Sequence, residues 1–165
     1  MFTIFDTFDS YPMDGNDRRI LEEMLEIAMK DSVFQWLKEL PLENISFRFC
    51  PGITESNDVM GAFTILHPLS VFLRDDPERI TTLKGRSFWI ELLFPTILHE
   101  LRHLWQFQKY PGLYILCSIP GLRLLTLERD AELHQKAAEG VADSYTAMRD
   151  RADFESISNR WEFNS

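Results

Sequence analysis

The sequence predicts a single α+β domain that is mostly helical, with a small sheet packed against one helix. Its 165 residues suffice for a sizeable core. A content of 45% apolar and 13% aromatic residues is typical of a folded globule. Long segments carry apolar residues three or four positions apart, whereas a few short segments are rich in β-forming residues. No linker or repeat divides residues 1–165, so we expect one domain.

The first half of the chain is predicted to contain one helix and the strands. Asn16 or Asp17 can cap an amphipathic helix that runs to about Glu39. Residues 45–49 alternate as a half-buried strand, and residues 60–66 are rich in β-forming residues. We expect these two segments to contribute to the small sheet.

The second half is predicted to be helical. Pro77 can begin a short helix, and residues 87–94 lead into a helix that is kinked or restarted at Pro95. A further helix is expected over residues 127–140, because this segment is rich in the helix formers Ala, Glu, Leu and Lys. The glycine at position 140 is expected to end it. Another helix is expected from residue 141 to about residue 151.

Residues 99–103 read H-E-L-R-H and carry the most specific chemical pattern of the chain. Histidines four residues apart on a helix project from one face, so His99 and His103 can bind one Zn²⁺. Glu100 can reach a water on the same metal, and a zinc hydrolase uses such a carboxylate to take the proton of that water. The alternative is a structural helix whose histidines are hydrogen-bonded and chemically inert.

A catalytic zinc usually has three protein ligands, and the next predicted helix offers candidates for the third. The candidate side chains are Glu128, Asp130, Glu132, His134 and Glu139. Glu128 and Glu132 lie one turn apart on one face, beside the small Ala131, which would allow close packing of the two helices. The alternative is a solvated acidic helix face.

The combination of H-E-x-x-H with E-x-x-A-[D/E] at residues 128–132 resembles the gluzincin zinc peptidases. The similarity is greatest to the CAAX-protease-like branch and its minimal, minigluzincin-like relatives, and it covers roughly residues 95–140. It implies a zincin-like fold in which His99, His103 and Glu128 bind Zn²⁺. It also implies that Glu132 takes the place of an acidic residue that orients a ligand histidine. Family members usually have Asp there, so Glu132 is a departure.

These residues predict a zinc-dependent peptidase that cleaves a peptide or protein substrate, with Glu100 as general base. In zincin-like folds an edge strand pairs with the extended substrate, and residues 60–66 are our candidate for it. Candidates for stabilising the oxyanion are His67, His134 and Tyr145. The alternative function is a non-catalytic zincin-like protein that binds a protein partner or a membrane surface. Hydrolysis of a non-peptide amide would use the same residues.

Charge and composition argue against other classes of function. The net charge is −9 and no Lys/Arg cluster is present, so nucleic-acid binding is not expected. No signal peptide is apparent and two cysteines form no disulfide framework, which together favour a cytoplasmic protein. The apolar stretch over residues 113–127 is interrupted by Pro120 and is too short to span a membrane. We expect it to form a buried hairpin or short helix, with membrane contact as the less favoured alternative.

The C-terminal residues 153–163 carry several aromatic side chains. Aromatic residues in a free tail would be costly to leave in water, so we expect this segment to dock on the domain. It would pack either on the back of the domain or across the cleft beside residues 60–66, where it would block the substrate.

Overall fold

The computed structural model describes residues 10–51, 60–64, 66–82, 85–117 and 125–162. The described residues are mostly helical with one small mixed sheet, which confirms the predicted α+β, mostly helical class. The helices are α1 (Gly15–Ala28), α2 (Pro77–Thr82), α3 (Arg86–Lys109), α4 (Pro111–Cys117) and α5 (Leu125–Glu162). The strands are β1 (Tyr11–Pro12), β2 (Ser46–Cys50), β3 (Gly61–Phe63) and β4 (Ser70–Arg74).

The four described strands form one sheet in the order β1-β2-β4-β3. The two central strands β2 and β4 are parallel, with Ser46 opposite Ser70. The outer strands β1 and β3 are each antiparallel to their neighbour. Both predicted strand segments are therefore present, but the second is only three residues long and lies at one edge of the sheet.

Helix α3 is the centre of the fold because most of its described side chains are buried or half-buried. Its fully buried side chains are Trp89, Ile90, Leu93, Phe94, Ile97, Leu98, Leu101 and Leu104. They pack between the sheet on one side and α1 and α5 on the other. A helix with so broad an apolar face is stable only when that face is covered by neighbouring elements.

The predicted first helix is wrong in its cap and its length. Asp14, not Asn16 or Asp17, is the N-cap, and its carboxylate accepts the backbone N–H of Asp17 at 2.8 Å. Helix α1 ends at Ala28, and a 3-10 helix spans Ser32–Glu39. Asp31 caps that second segment by accepting the backbone N–H of Val33 at 2.9 Å. A side chain that hydrogen-bonds the backbone locally in this way competes with continuation of the α-helix.

The structure also differs from the prediction at the two helix breakers. Pro95 lies inside the continuous α3 and does not begin it. Gly140 lies inside the 38-residue α5, which replaces the two predicted helices. An interior proline costs about 3 kcal/mol and an interior glycine about 1 kcal/mol. Full burial of a single large apolar side chain contributes about 1.5–3 kcal/mol, so the apolar contacts of these helices outweigh both penalties.

Only part of the apolar stretch over residues 113–127 is described. Helix α4 contributes a short helix as expected, but Leu113 and Ile115 on it are exposed while Tyr114 packs on Phe63 and Phe107. Residues 118–124 lie outside the described part of the chain. Within that part, no helix has both the length and the apolar character needed to cross a membrane.

Candidate metal centre

Three donor side chains from two helices meet at one point. His99 and His103 lie one turn apart on α3, and Glu128 lies in the first turn of α5. The Nε2 atoms of the two histidines are 3.0 Å apart. The carboxylate oxygens of Glu128 lie 3.1 Å from Nε2 of His99 and 3.4 Å from Nε2 of His103. The cluster thus contains the three residues that the resemblance indicated as ligands.

The donor set and its spacing fit a zinc ion. Zinc binds imidazole nitrogen and carboxylate oxygen at about 2.0–2.2 Å in tetrahedral sites, so neighbouring ligand atoms lie about 3.3 Å apart. The observed separations of 3.0–3.4 Å match that value. Two histidines and one glutamate also leave a fourth position for water, as catalytic zinc sites require.

The cluster is arranged to attract positive charge. Hydrogen bonds from His103 and His99 hold the pKa of Glu128 well below its ordinary range. Burial lowers the pKa of His103, but its hydrogen bond with Glu128 and the nearby charge of Glu100 raise it by more, so the net pKa is above the ordinary value. A cation placed among these groups would be stabilised by two carboxylates in a partly desolvated setting.

Glu100 lies beside the cluster and is buried, with 8% of its surface exposed. Burial raises the pKa of its carboxyl, while the charges of His103 and His99 and a hydrogen bond from the backbone of Phe63 oppose that shift. Strand β3 approaches it closely because Gly61 has no side chain. A Cβ at Gly61 would lie 2.7 Å from Cγ2 of Thr96 and 3.3 Å from Cγ of Glu100.

The histidine rings differ in what their Nδ1 atoms contact. Nδ1 of His103 lies 3.0 Å from Oε1 of Gln106. Among the described residues no partner reaches the buried Nδ1 of His99. Gln106 in turn donates to Asp130, which also binds Arg102. Sequence reasoning missed Gln106 and the role of Asp130, although Gln106 follows His103 at the i+3 spacing that places two side chains on one helix face.

Glu132 and the three candidates for the oxyanion are not in this cluster. The side chain of Glu132 is exposed, and the described hydrogen bond to the ligand His103 comes from Gln106 rather than from Glu132. His134 packs edge-on against Trp36, with ring centroids 5.5 Å apart. The hydroxyl of Tyr145 donates to Glu23 at 2.8 Å, and burial together with that carboxylate raises the pKa of Tyr145 to about 12.

The fourth histidine and the buried cysteine are also separate from the candidate metal centre. His67 is exposed at the end of the sheet, with its ring against Phe72. Cys50 is a buried core thiol on β2 and is not a member of the donor cluster. The donor cluster is open to solvent on the side of Glu128, whose side chain is 55% exposed.

Comparison with known proteins adds no assignment. No family model matches this chain, and no curated protein or solved structure shows a significant match. What points to a function is therefore the geometry of His99, Glu100, His103 and Glu128.

Proposed function

We propose that this protein is a zinc-dependent peptidase of the gluzincin type. The observation that supports the proposal most directly is the convergence of three zinc-type donor atoms beside the buried carboxylate of Glu100. Each of these residues has a chemical task in peptide hydrolysis, and the strand next to them offers a means of holding the substrate.

His99, His103 and Glu128 would hold the ion. Bound zinc supplies Lewis-acid chemistry, since it lowers the pKa of a water molecule and polarises a carbonyl group. The partial exposure of Glu128 leaves a path for substrate to the centre. The two histidines are mostly buried, which keeps their rings in a defined orientation.

Glu100 would act as the general base and later as the acid. Its carboxylate would take the proton of the attacking water and pass it to the leaving amine. Burial raises the pKa of this group, which makes the carboxylate a better proton acceptor than an exposed glutamate. The backbone N–H of Phe63 holds the carboxylate in place.

The substrate would bind along the outer edge of β3. The backbone N–H of Arg74 donates to the carbonyl of Met60 at 2.9 Å, so the backbone groups of residues 60 and 62 face β4. Because these groups alternate along a strand, those of Gly61 and Phe63 face the opposite side. The N–H of Phe63 is bound to Glu100, so an extended peptide could pair with the backbone groups of Gly61 and with the carbonyl of Phe63. Such pairing gives affinity from the main chain with little sequence selectivity.

The test is Glu100→Gln, which keeps the shape of the side chain but cannot accept the proton. We expect zinc content by elemental analysis to equal that of the wild type, while hydrolysis of a fluorescently labelled unfolded protein falls about 10²–10⁴-fold. Glu26→Gln, an exposed position on α1, is the matched control and should retain activity. Wild-type turnover in Glu100→Gln would contradict the assigned base.

The non-catalytic alternative makes a different prediction. A zincin-like protein that only binds a protein partner or a membrane surface would contain zinc yet show no hydrolysis in either the wild type or Glu100→Gln. A buried carboxylate beside the metal cluster has no task in such a protein, which is why we favour the peptidase. Cytoplasmic residence stays a prediction from the sequence.

A further inference from the structure

We propose that Gln106 is a positioning residue that holds the proton of His103 on Nδ1 and so leaves Nε2 free to bind a cation. This inference rests on the zinc site proposed above, and it adds a residue that the resemblance to gluzincins did not indicate. It follows from the hydrogen-bond partners of one buried amide.

The orientation of the Gln106 amide is determined by its two acceptors. Its side chain is buried, with 2% of the residue exposed. Its Nε2 donates to the backbone carbonyl of Leu127 at 3.0 Å and to Oδ2 of Asp130 at 2.8 Å. A carbonyl and a carboxylate cannot donate in return, so a flipped amide would place oxygen against oxygen at both contacts. The oxygen Oε1 therefore faces His103.

Asp130 stays an acceptor because Arg102 binds it. The guanidinium donates from Nε to Oδ2 at 2.6 Å and from Nη2 to Oδ1 at 3.3 Å. Arg102 is itself held over the rings of Trp105 and Trp36, at 4.1 and 5.0 Å from the ring centroids.

The consequence for His103 is a defined tautomer. Oε1 of Gln106 can only accept, so the Nδ1 atom 3.0 Å away donates to it. The Glu128 carboxylate is also an acceptor, but its oxygen lies 3.4 Å from Nε2, so the shorter contact with Gln106 holds the proton on Nδ1 when the ring is neutral. A neutral imidazole with its proton on Nδ1 has its lone pair on Nε2, the atom that faces Glu128 and His99. Partners of this kind set the orientation and basicity of metal-binding histidines.

The side-chain amide of Gln106 also forms a hydrogen bond between the two helices that carry the ligands. Leu127, whose carbonyl it binds, directly precedes Glu128 at the start of α5, whereas Gln106 lies one turn after His103 on α3. Loss of the amide would therefore disturb both the tautomer of one ligand and the position of another.

The first measurement uses metal-free wild-type protein and does not depend on zinc. Two-bond ¹H–¹⁵N correlation spectra, recorded where the imidazole is neutral, report which nitrogen of His103 carries the proton. We expect the Nδ1-protonated form in the wild type and in Gln108→Met, the control at an exposed glutamine of the same helix. Gln106→Met should lose that preference. A proton on Nε2 in the wild type would overturn the inference.

The second measurement is metal affinity. Competition with a zinc chelator should show affinity about 10–100-fold weaker in Gln106→Met than in Gln108→Met. The visible spectrum of the Co²⁺-substituted protein should change only in the former. Unchanged affinity and spectrum would overturn the inference. If Gln106→Met does not fold, the wild-type spectrum alone decides. A wild type that binds no zinc but has His103 protonated on Nδ1 would reject the proposed function and retain the role of Gln106.

Discussion

The two histidines of the cluster are equivalent in the H-E-x-x-H pattern but not in their surroundings. His103 has Gln106 at its Nδ1 atom, whereas the buried Nδ1 of His99 has no partner among the described residues. Both rings direct Nε2 toward Glu128 because residues four apart on a helix lie on one face. The chemical difference between them arises from side chains that α3 and α5 bring together.

At the residue scale, Glu128 and Glu132 should respond differently to substitution. Glu128→Ala removes a carboxylate that contacts both histidines, so zinc affinity measured by chelator competition should fall steeply. Glu132→Ala removes an exposed side chain on the next turn of α5, so we expect the smaller loss. The reverse ranking would move the third ligand to Glu132 and show that the family pattern was aligned incorrectly.

At the scale of secondary-structure elements, the site depends on how closely β3 approaches α3. That approach uses the missing side chain of Gly61 and places the backbone of Phe63 against Glu100. The length of α3 and α5 matters less to the chemistry than this contact, because the ligands occupy short segments of each helix.

Gly61→Ala should disturb the contact between β3 and α3. The added methyl group would lie 2.7 Å from the side chain of Thr96, so strand and helix must separate. Overpacking of this kind costs about 1–3 kcal/mol of unfolding free energy, measurable by urea denaturation, and hydrolysis should fall as well. Gly112→Ala is the control, since nothing lies within 4 Å of its added Cβ. Equal stability of the two variants would contradict the close approach.

Gly140→Ala tests whether α5 is continuous. The glycine lies inside the helix with nothing within 4 Å of an added Cβ, and it is not among the described glycines with positive φ. Alanine should therefore raise the unfolding free energy by about 0.5–1 kcal/mol, measured by urea denaturation. If the helix ended at Gly140, as the sequence predicts, and this glycine adopted the left-handed conformation common at helix ends, alanine would lower stability instead.

At the scale of the whole molecule, the candidate centre joins α3 to the first turn of α5, and the rest of α5 leads away from it. At 1.5 Å per residue, position 153 lies about 38 Å along the helix axis from Glu128. The structure continues α5 through residue 162, which disagrees with the alternative in which residues 153–163 lie across the cleft beside residues 60–66. Residue 163 lies outside the described residues.

Zinc should stabilise the whole fold because its ligands come from two separate helices. A ligand that binds only the native state adds about 4 kcal/mol at 1,000 times its Kd. For a chain of this size that corresponds to a rise in Tm of roughly 8–16 °C. Thermal melts with zinc and with a chelator should differ by this amount in the wild type and coincide in His103→Ala. Coincident wild-type melts without bound zinc would reject the metal centre.

The sequence by itself determined the mostly helical class and placed His99, Glu100 and His103 on one helix, because these follow from spacing along a regular helix. Glu128 came from a resemblance, and the structure brings it to the histidines. Only the tertiary structure decided that Pro95 and Gly140 lie within continuous helices, since burial outweighs local breaking tendencies. It also decided the contacts of Gln106 and the position of β3 beside Glu100. Those contacts join residues far apart in the chain, and short-range periodicity carries no information about them.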